Sequence, residues 1–532
     1  LRLNGALDTG AAGDLRFGPP HAQEGARMTR FRLLLAPIPL VPLLLWSMAA
    51  FAEEAKPATG KDDKAEKEPA GVLALLPADS VTQHTLQIGP QRLAYTATAG
   101  TLTLRDDKGE RSALVFYVAY TAQGGPPGTR PVSFFFNGGP GAASAYLHMG
   151  AAGPMVLDFP SGDETDGAGA RLKENPDSWL PFTDMVFLDA IGTGWSRPAK
   201  PEEAPKEFWG VKQDAQAFAK AVSLWLERNG RAASPKYLVG ESYGGIRSIK
   251  VARELQNDQG VILDGIIMIS PAIEMESIEG ATSGPLVDAL RLPSLAAGAL
   301  ERHHKFSVQA VEDAHRFAVG EYLTTIVGEP PTGDAAKSFY GRIADLTEVP
   351  EPVVERQHGR LDLNSHDVRV VDGKILSIYE ASLTVPDPDP EGSGLETDPV
   401  LFGYTRAYGS AFTGYAADAL GFKTELTYKL LALDVNQKWD FHSDGPGPVS
   451  GFDDLKRLLV LDPSLKLFVA GGYFDLVVPF DVNRWLLGHL PVGRERVTFK
   501  AYPGGHMLYT RPASRAALRA DVAALYPPAG PK

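Results

Sequence analysis

The sequence predicts an α/β fold: a mostly parallel mixed central sheet with helices on both faces and a helical lobe inserted into it. Three observations carry that expectation. Short runs rich in β-branched and aromatic residues recur along the chain, separated by segments long enough for helices, and most are continuously apolar but for one polar residue at most rather than alternating, as strands buried on both faces of a parallel sheet are. The regular spacing of these runs fails from about residue 276 to 430 and resumes near Lys466, which is how an insertion reads. One run leads directly into Gly240-Glu-Ser-Tyr-Gly244 and then into a helix-compatible stretch, a strand–turn–helix order typical of an active-site turn. With 44% hydrophobic and 22% charged residues over 532 positions, the chain can bury a large core.

In chain order, Thr101 to Leu104 and Ala113 to Tyr120 flank the polar cluster Asp106-Asp-Lys-Gly-Glu110 and read as a hairpin that opens the sheet. The apolar runs Pro131 to Phe136, Met185 to Leu188, Lys236 to Val239, Gly265 to Ile269, Lys466 to Ala470 and Arg496 to Ala501 follow. Between two of them, Phe218, Val222 and Trp225 share a stripe of a helix over Val211 to Arg228, closed by Asn229-Gly230, so this part is a βαβ unit. In the insert, Val308 to Val319 reads as helical and Pro386 to Pro390 as an acidic, Pro-rich segment. The expected boundaries are a core of residues 72–275 and 431–532, with a cap lobe of residues 276–430.

The amino end has the pattern of an export signal. Met28-Thr-Arg-Phe-Arg32 is basic, Leu33 to Met48 is apolar but carries three prolines, and Ala50-Phe51-Ala52 is small-x-small, so residues 28–52 read as a signal peptide cleaved before Glu53. Residues 1–27 read as translated upstream sequence, and residues 53–71, rich in Lys, Glu, Asp and Pro, as a flexible leader. An exported protein, periplasmic or secreted, with no membrane attachment after cleavage is expected. The net charge of −13 without a dense Lys/Arg tract argues against a nucleic-acid partner. The absence of cysteine excludes disulfides, thiolate metal sites and a Cys nucleophile.

The chemistry is expected at Ser242. Glycines on either side allow a turn tight enough to project the serine from the end of a strand. A hydroxyl attacks only when a base removes its proton, so a histidine is required, with an acid to orient it. His506, in Tyr502-Pro-Gly-Gly-His506 after the last apolar run, and Asp475, in Ala470-Gly-Gly-Tyr-Phe-Asp475 after the preceding one, stand in suitable order. His489, in an amphipathic stretch, and His303 and His304, in the insert, lack such a setting. Asn137-Gly-Gly-Pro-Gly141 directly follows an apolar run before the serine, where main-chain N–H groups can converge on an oxyanion. Gly139 and Tyr243 are the expected donors. No Gly-x-x-x-x-Gly-Lys-[Ser/Thr] loop and no His-Glu-x-x-His helix occurs, and the reaction calls for no cofactor and no metal.

Five motifs, Asn137-Gly-Gly-Pro-Gly141, Asn175-Pro-Asp-Ser-Trp179, Phe187-Leu-Asp189 with Gly192-Thr-Gly-Trp-Ser196, Gly240-Glu-Ser-Tyr-Gly-Gly245 and Gly504-Gly-His-Met507, are similar in type and order to those of the serine carboxypeptidase family. With the export pattern, the chain resembles an exported bacterial member. The resemblance implies an α/β-hydrolase fold, a Ser242/Asp475/His506 triad, and removal of carboxyl-terminal residues from a peptide substrate. It also implies that Asn137 and Glu241 bind the substrate carboxylate together with a second Glu fourteen residues beyond Asn137. That position is Ala151, and the family's Trp two residues before the Asn is Phe135. In the family the two acids share a proton at low pH, so Glu241 must here be protonated by burial alone or take another role.

Two other classes of reading remain at this stage: an esterase, acyltransferase or other peptidase on the same scaffold, and a binding protein of this fold without catalysis. Tyr404, Tyr408 and Tyr415 line a substrate pocket or belong to the lobe's core. Sequence does not fix the oligomeric state.

Overall fold

The computed structural model describes residues 71–124, 128–159, 165–277, 284–363, 365–391 and 397–527, all within the compact unit Lys67–Lys532. The expected upstream segment, signal peptide and nearly all of the leader lie outside the described residues. Among the described residues no helix is long and apolar enough to cross a membrane.

The central sheet contains β1 (Ser80–Ile88), β2 (Gln91–Arg105), β3 (Arg111–Ala122), β4 (Val132–Phe136), β5 (Asp184–Leu188), β6 (Lys236–Glu241), β7 (Gly265–Ile269), β8 (Lys466–Gly472) and β9 (Val497–Tyr502). They lie in the order β1-β2-β3-β5-β4-β6-β7-β8-β9, and the short strand Arg197–Pro198 pairs with β3. Pairing is antiparallel from β1 to β5 and parallel from β5 to β9. This mixed, mostly parallel sheet, covered on both faces, is the α/β-hydrolase fold.

The expected hairpin forms between β2 and β3. Its turn is held by Asp106, whose Oδ1 accepts from the Lys108 and Glu110 N–H groups at 2.9 Å each, the local bond for which Asp favours turns. The strands run further than the apolar runs suggested, and β1 adds an edge strand the pattern did not reveal. Along β1 only Leu86 is buried, so an exposed edge leaves little apolar signal to read.

Helices α1 (Val211–Arg228), α2 (Gly244–Asp258), α3 (Pro285–Arg302), α4 (Pro399–Asp418), α5 (Phe480–Gly488) and α6 (Pro512–Ala523) are the ones that bear on the site. Successive side chains of the parallel strands enter different cores. Phe134, Phe136, Leu238, Ile266 and Val469 pack with Phe218, Val222 and Trp225 of α1 and Ile246 and Ile249 of α2. Phe135, Val239, Ile267 and Ala470 pack on the opposite face with Leu518 and Val522 of α6, as a period of two requires.

Between β7 and β8, α3 and the helices Val308–Phe317 and Gly333–Thr347 bury a third cluster, including Leu292, Leu295, Val311, Phe317 and Phe339, that also holds Phe474, Leu476 and Phe480. A three-stranded sheet, Val370–Val371, Lys374–Leu376 and Thr384–Pro386, follows. Helix α4 instead joins the core of the main sheet, with Tyr404, Tyr408, Phe412 and Tyr415 buried there. Of the two settings open to Tyr404, Tyr408 and Tyr415, the structure gives a core, and it is the sheet's core.

Candidate active site

Strand β6 ends at Glu241 and helix α2 starts at Gly244, so Ser242 occupies the turn between them. Its φ of 60° lies in the left-handed region, which costs a residue with a side chain about 1–2 kcal/mol. The turn is held nonetheless. The Ser242 N–H donates to the Ile269 carbonyl at 3.1 Å, and the Ser242 carbonyl accepts from Gly245 at 2.8 Å and Ala272 at 2.9 Å. Ser242 is the single partly exposed residue from 241 to 249. Strain of this kind, kept in place by surrounding bonds, collects at functional positions.

Asp475 and His506 follow β8 and β9, and strand register carries their loops to the same carboxyl edge: Glu241 pairs with Ile269, Ile269 with Ala470, and Gly472 with Tyr502. His506 Nδ1 lies 2.8 Å from Asp475 Oδ2, and both residues are buried. The other Asp475 oxygen accepts from the Val477 and Val478 N–H groups at 2.9 Å each, which fixes the carboxylate. Since a carboxylate only accepts, Nδ1 carries the proton and Nε2 is the basic nitrogen. Burial alone would lower the pKa of His506; the charge and hydrogen bond of Asp475, with the charge of Glu241, overcome it and raise the value. Asp475 and His506 are thus joined directly. Among the described residues the Ser242 hydroxyl makes no side-chain hydrogen bond, and its tie to the pair is the shared sheet edge and its neighbour Glu241. His489 is exposed and bound to the Trp485 carbonyl, and His303 pairs with Glu348, so neither is joined to Asp475.

The loop after β4 lies against the serine turn. A Cβ on Gly138 would fall 2.4 Å from the Tyr243 nitrogen and 2.7 Å from the Glu241 carbonyl oxygen, so only glycine permits this approach. Among the described residues neither the Gly139 nor the Tyr243 N–H has a hydrogen-bond acceptor. The loop is tied down by its carbonyls: Gly138 accepts from Ala142 at 3.1 Å, Pro140 from the Asn436 side chain at 3.1 Å, and Asn137 from the Arg247 guanidinium. Arg247 is buried, pairs with Asp214 of α1 at 2.6 Å, and lies over the Phe218 and Tyr243 rings. Sequence reading passed over Arg247 and Asp214. Their signal is a charged residue on the face of each helix that otherwise faces the core.

Glu241 is the other buried acid. Its Oε2 accepts from Asn137 Nδ2 at 2.7 Å and from the Tyr509 hydroxyl at 2.8 Å, while among the described residues Oε1 has no hydrogen bond. Burial is the main cause raising its pKa to about 7, against the pull of His506 and of the two hydrogen bonds. Ala151 is buried in the helical turn His148–Ala152, its carbonyl accepting from Asn175. The Tyr408 hydroxyl, buried and without a partner among the described residues, meets Gly150 beside the Tyr509 ring. Tyr509, which sequence reading did not single out, is the second partner of the Glu241 carboxyl group.

Residues 90–278 match the family model Peptidase_S10, serine carboxypeptidase, a stretch that includes Asn137, Gly139, Glu241, Ser242 and Tyr243 and ends before Asp475. Serine carboxypeptidase-like 8 of Arabidopsis thaliana is 25% identical over 176 residues, 32% of this chain and 39% of the relative. Serine carboxypeptidase-like 36 of the same plant is 30% identical over 31% of this chain and 32% of its own, and serine carboxypeptidase 1 of Hordeum vulgare 30% over 28% of each. The chain thus spans about a third of the length of these relatives. Among solved structures, VinJ aligns over 81% of this chain and 99% of its own with 16% identity and a TM-score of 0.36. A monoglyceride lipase from Saccharomyces cerevisiae aligns over 80% and 93% with 12% identity and a TM-score of 0.33.

Proposed function

We propose that this chain, serine carboxypeptidase-like over residues 90–278, is a serine hydrolase that cleaves residues from the carboxyl ends of peptides through an acyl-enzyme. Ser242 attacks the scissile carbonyl, His506 Nε2 takes the hydroxyl proton and returns it to the leaving amine, and Asp475 holds the imidazole in the required tautomer. The Gly139 and Tyr243 N–H groups receive the oxyanion. Water then attacks the ester with His506 again as base. The observation that carries this reading is Ser242 at positive φ on the sheet edge that also bears the Asp475–His506 pair.

Glu241 supports the carboxypeptidase part. With a pKa of about 7 it is largely neutral at acidic pH, so its free Oε1 can donate to a substrate carboxylate there. Above that value the ionised form repels the same group. A peptide with a free carboxyl terminus is expected to be cleaved faster than its amide below neutral pH, with the preference shrinking as pH rises through 7. An amide hydrolysed as well as the acid at every pH would end the carboxypeptidase reading. Ala151 favours the second reading, an esterase, acyltransferase or other peptidase, because Glu241 lacks an acid partner there; hydrolysis of phenyl esters without trimming of peptides would establish it. A binding protein without catalysis would leave Ser242 inert to an organophosphonate.

The pattern of residues 28–52 supports export of the enzyme to the periplasm or medium, which amino-terminal sequencing of the exported protein tests.

A further inference from the structure

Four residues between the small sheet's last two strands, Ile378-Tyr-Glu-Ala381, run between the loops that carry Asp475 and His506. They bind both. The Leu476 N–H donates to the Ile378 carbonyl at 3.0 Å, and the Ala381 N–H to the Phe474 carbonyl at 2.9 Å, one bond on either side of Asp475. The His506 N–H donates to the Tyr379 carbonyl at 2.7 Å, and the preceding Gly505 N–H to Glu380 Oε2 at 2.6 Å. The Tyr379 ring stands edge-on to the imidazole, centroids 5.3 Å apart. The strap is itself anchored at both ends: the Ile378 N–H donates to Asp398 at 2.8 Å, and the Ala381 carbonyl accepts from Arg302 of α3.

Glu380 is the unusual member. It is buried, yet its carboxyl group meets a main-chain N–H of the histidine loop on one oxygen, and Arg511 and Ser382 on the other. Arg511 also binds Glu301 of α3 at 2.6 Å, which continues the tie into the helices of the third cluster. A buried carboxyl group held this way costs desolvation unless each bond is made. It is a poor choice for mere packing.

We propose that Glu380 is a positioning residue for the reaction: by holding the Gly505 N–H, it sets the histidine loop against the strap that also carries the Asp475 loop, and so aligns the imidazole with Ser242. This rests on the Ser242 reading above. Misplacement of a catalytic group by about 1 Å costs roughly 100-fold in rate, so a small slip of this loop is enough to show.

The test measures ester hydrolysis by Glu380→Ala and Glu380→Gln against the parent, with thermal unfolding and Ser242 labelling by a fluorophosphonate. Glu380→Ala is expected to lower kcat about 10- to 100-fold with KM unchanged, in a protein that remains folded. The ascending, His506-dependent limb of its pH profile should move to lower pH, because a loosened Asp475 contact no longer raises the His506 pKa against burial. Glu380→Gln, whose amide oxygen can still accept from Gly505, should keep kcat within severalfold of the parent. A Glu380→Ala enzyme with parental kcat, a loss confined to KM, or a Gln variant as slow as the Ala variant would overturn the assignment while labelling of the parent leaves the Ser242 reading intact. A parent that is folded but unlabelled would overturn both.

Discussion

Around Glu241 single atoms decide the behaviour of the site. The Tyr509 hydroxyl donates to Glu241 Oε2 and thereby favours the ionised form, one of the effects holding back a pKa that burial drives up. Tyr509→Phe removes that donor, so the Glu241 pKa should rise further and the preference for a free carboxyl terminus should persist to higher pH than in the parent. Measuring kcat/KM for the acid and amide peptides from about pH 5 to 9, a range around the Glu241 pKa of about 7, checks it; a midpoint moved to lower pH would contradict the role given to Tyr509. Ser242 was legible because a turn needs glycines and a nucleophile at fixed spacing; Asn137 and Glu241 were singled out only through the family resemblance. Tyr509 was not, since its hydroxyl meets an acid 268 positions away and nothing in its local pattern separates it from a core aromatic.

The helices that flank the serine turn are coupled by one buried pair. Arg247 joins α2 to Asp214 of α1 and to the Asn137 carbonyl, and burial pushes the Asp214 carboxyl pKa up even with the guanidinium beside it. Arg247→Met keeps bulk but strands the acid, and loss of one partner of such a pair costs about 3–5 kcal/mol. A urea titration should show the midpoint fall accordingly, and kcat should fall because the loop after β4, proposed to hold the oxyanion, loses an anchor; an unchanged midpoint would mean that the pair contributes little. The strands were legible where burial on both faces makes them almost wholly apolar, as in β4, β5 and β7. They were not where an element is exposed: β1, and the pair Met155–Asp158 with Arg171–Glu174, offer few buried side chains to reveal a period.

Taken as a whole, the molecule gathers its site from loops that leave one edge of the sheet after β4, β6, β8 and β9, and from a strap contributed between β7 and β8. The first group could be read in the chain because each motif directly follows an apolar strand, so chain order specified spatial order. The strap could not, because it acts largely through main-chain bonds to distant loops, and Ile378-Tyr-Glu-Ala381 has no composition that announces such contacts. The comparisons follow the same division, since the matched residues 90–278 hold Ser242 and the Gly-rich loop after β4 but neither Asp475 nor His506. Reactivity at Ser242 therefore tests the assembly most directly. The folded protein, exposed to a fluorophosphonate and digested for mass mapping, should carry the adduct on Ser242, with labelling slowed by orders of magnitude in His506→Ala, as loss of the general base requires. A folded protein that stays unlabelled, or that reacts at another serine, would contradict it.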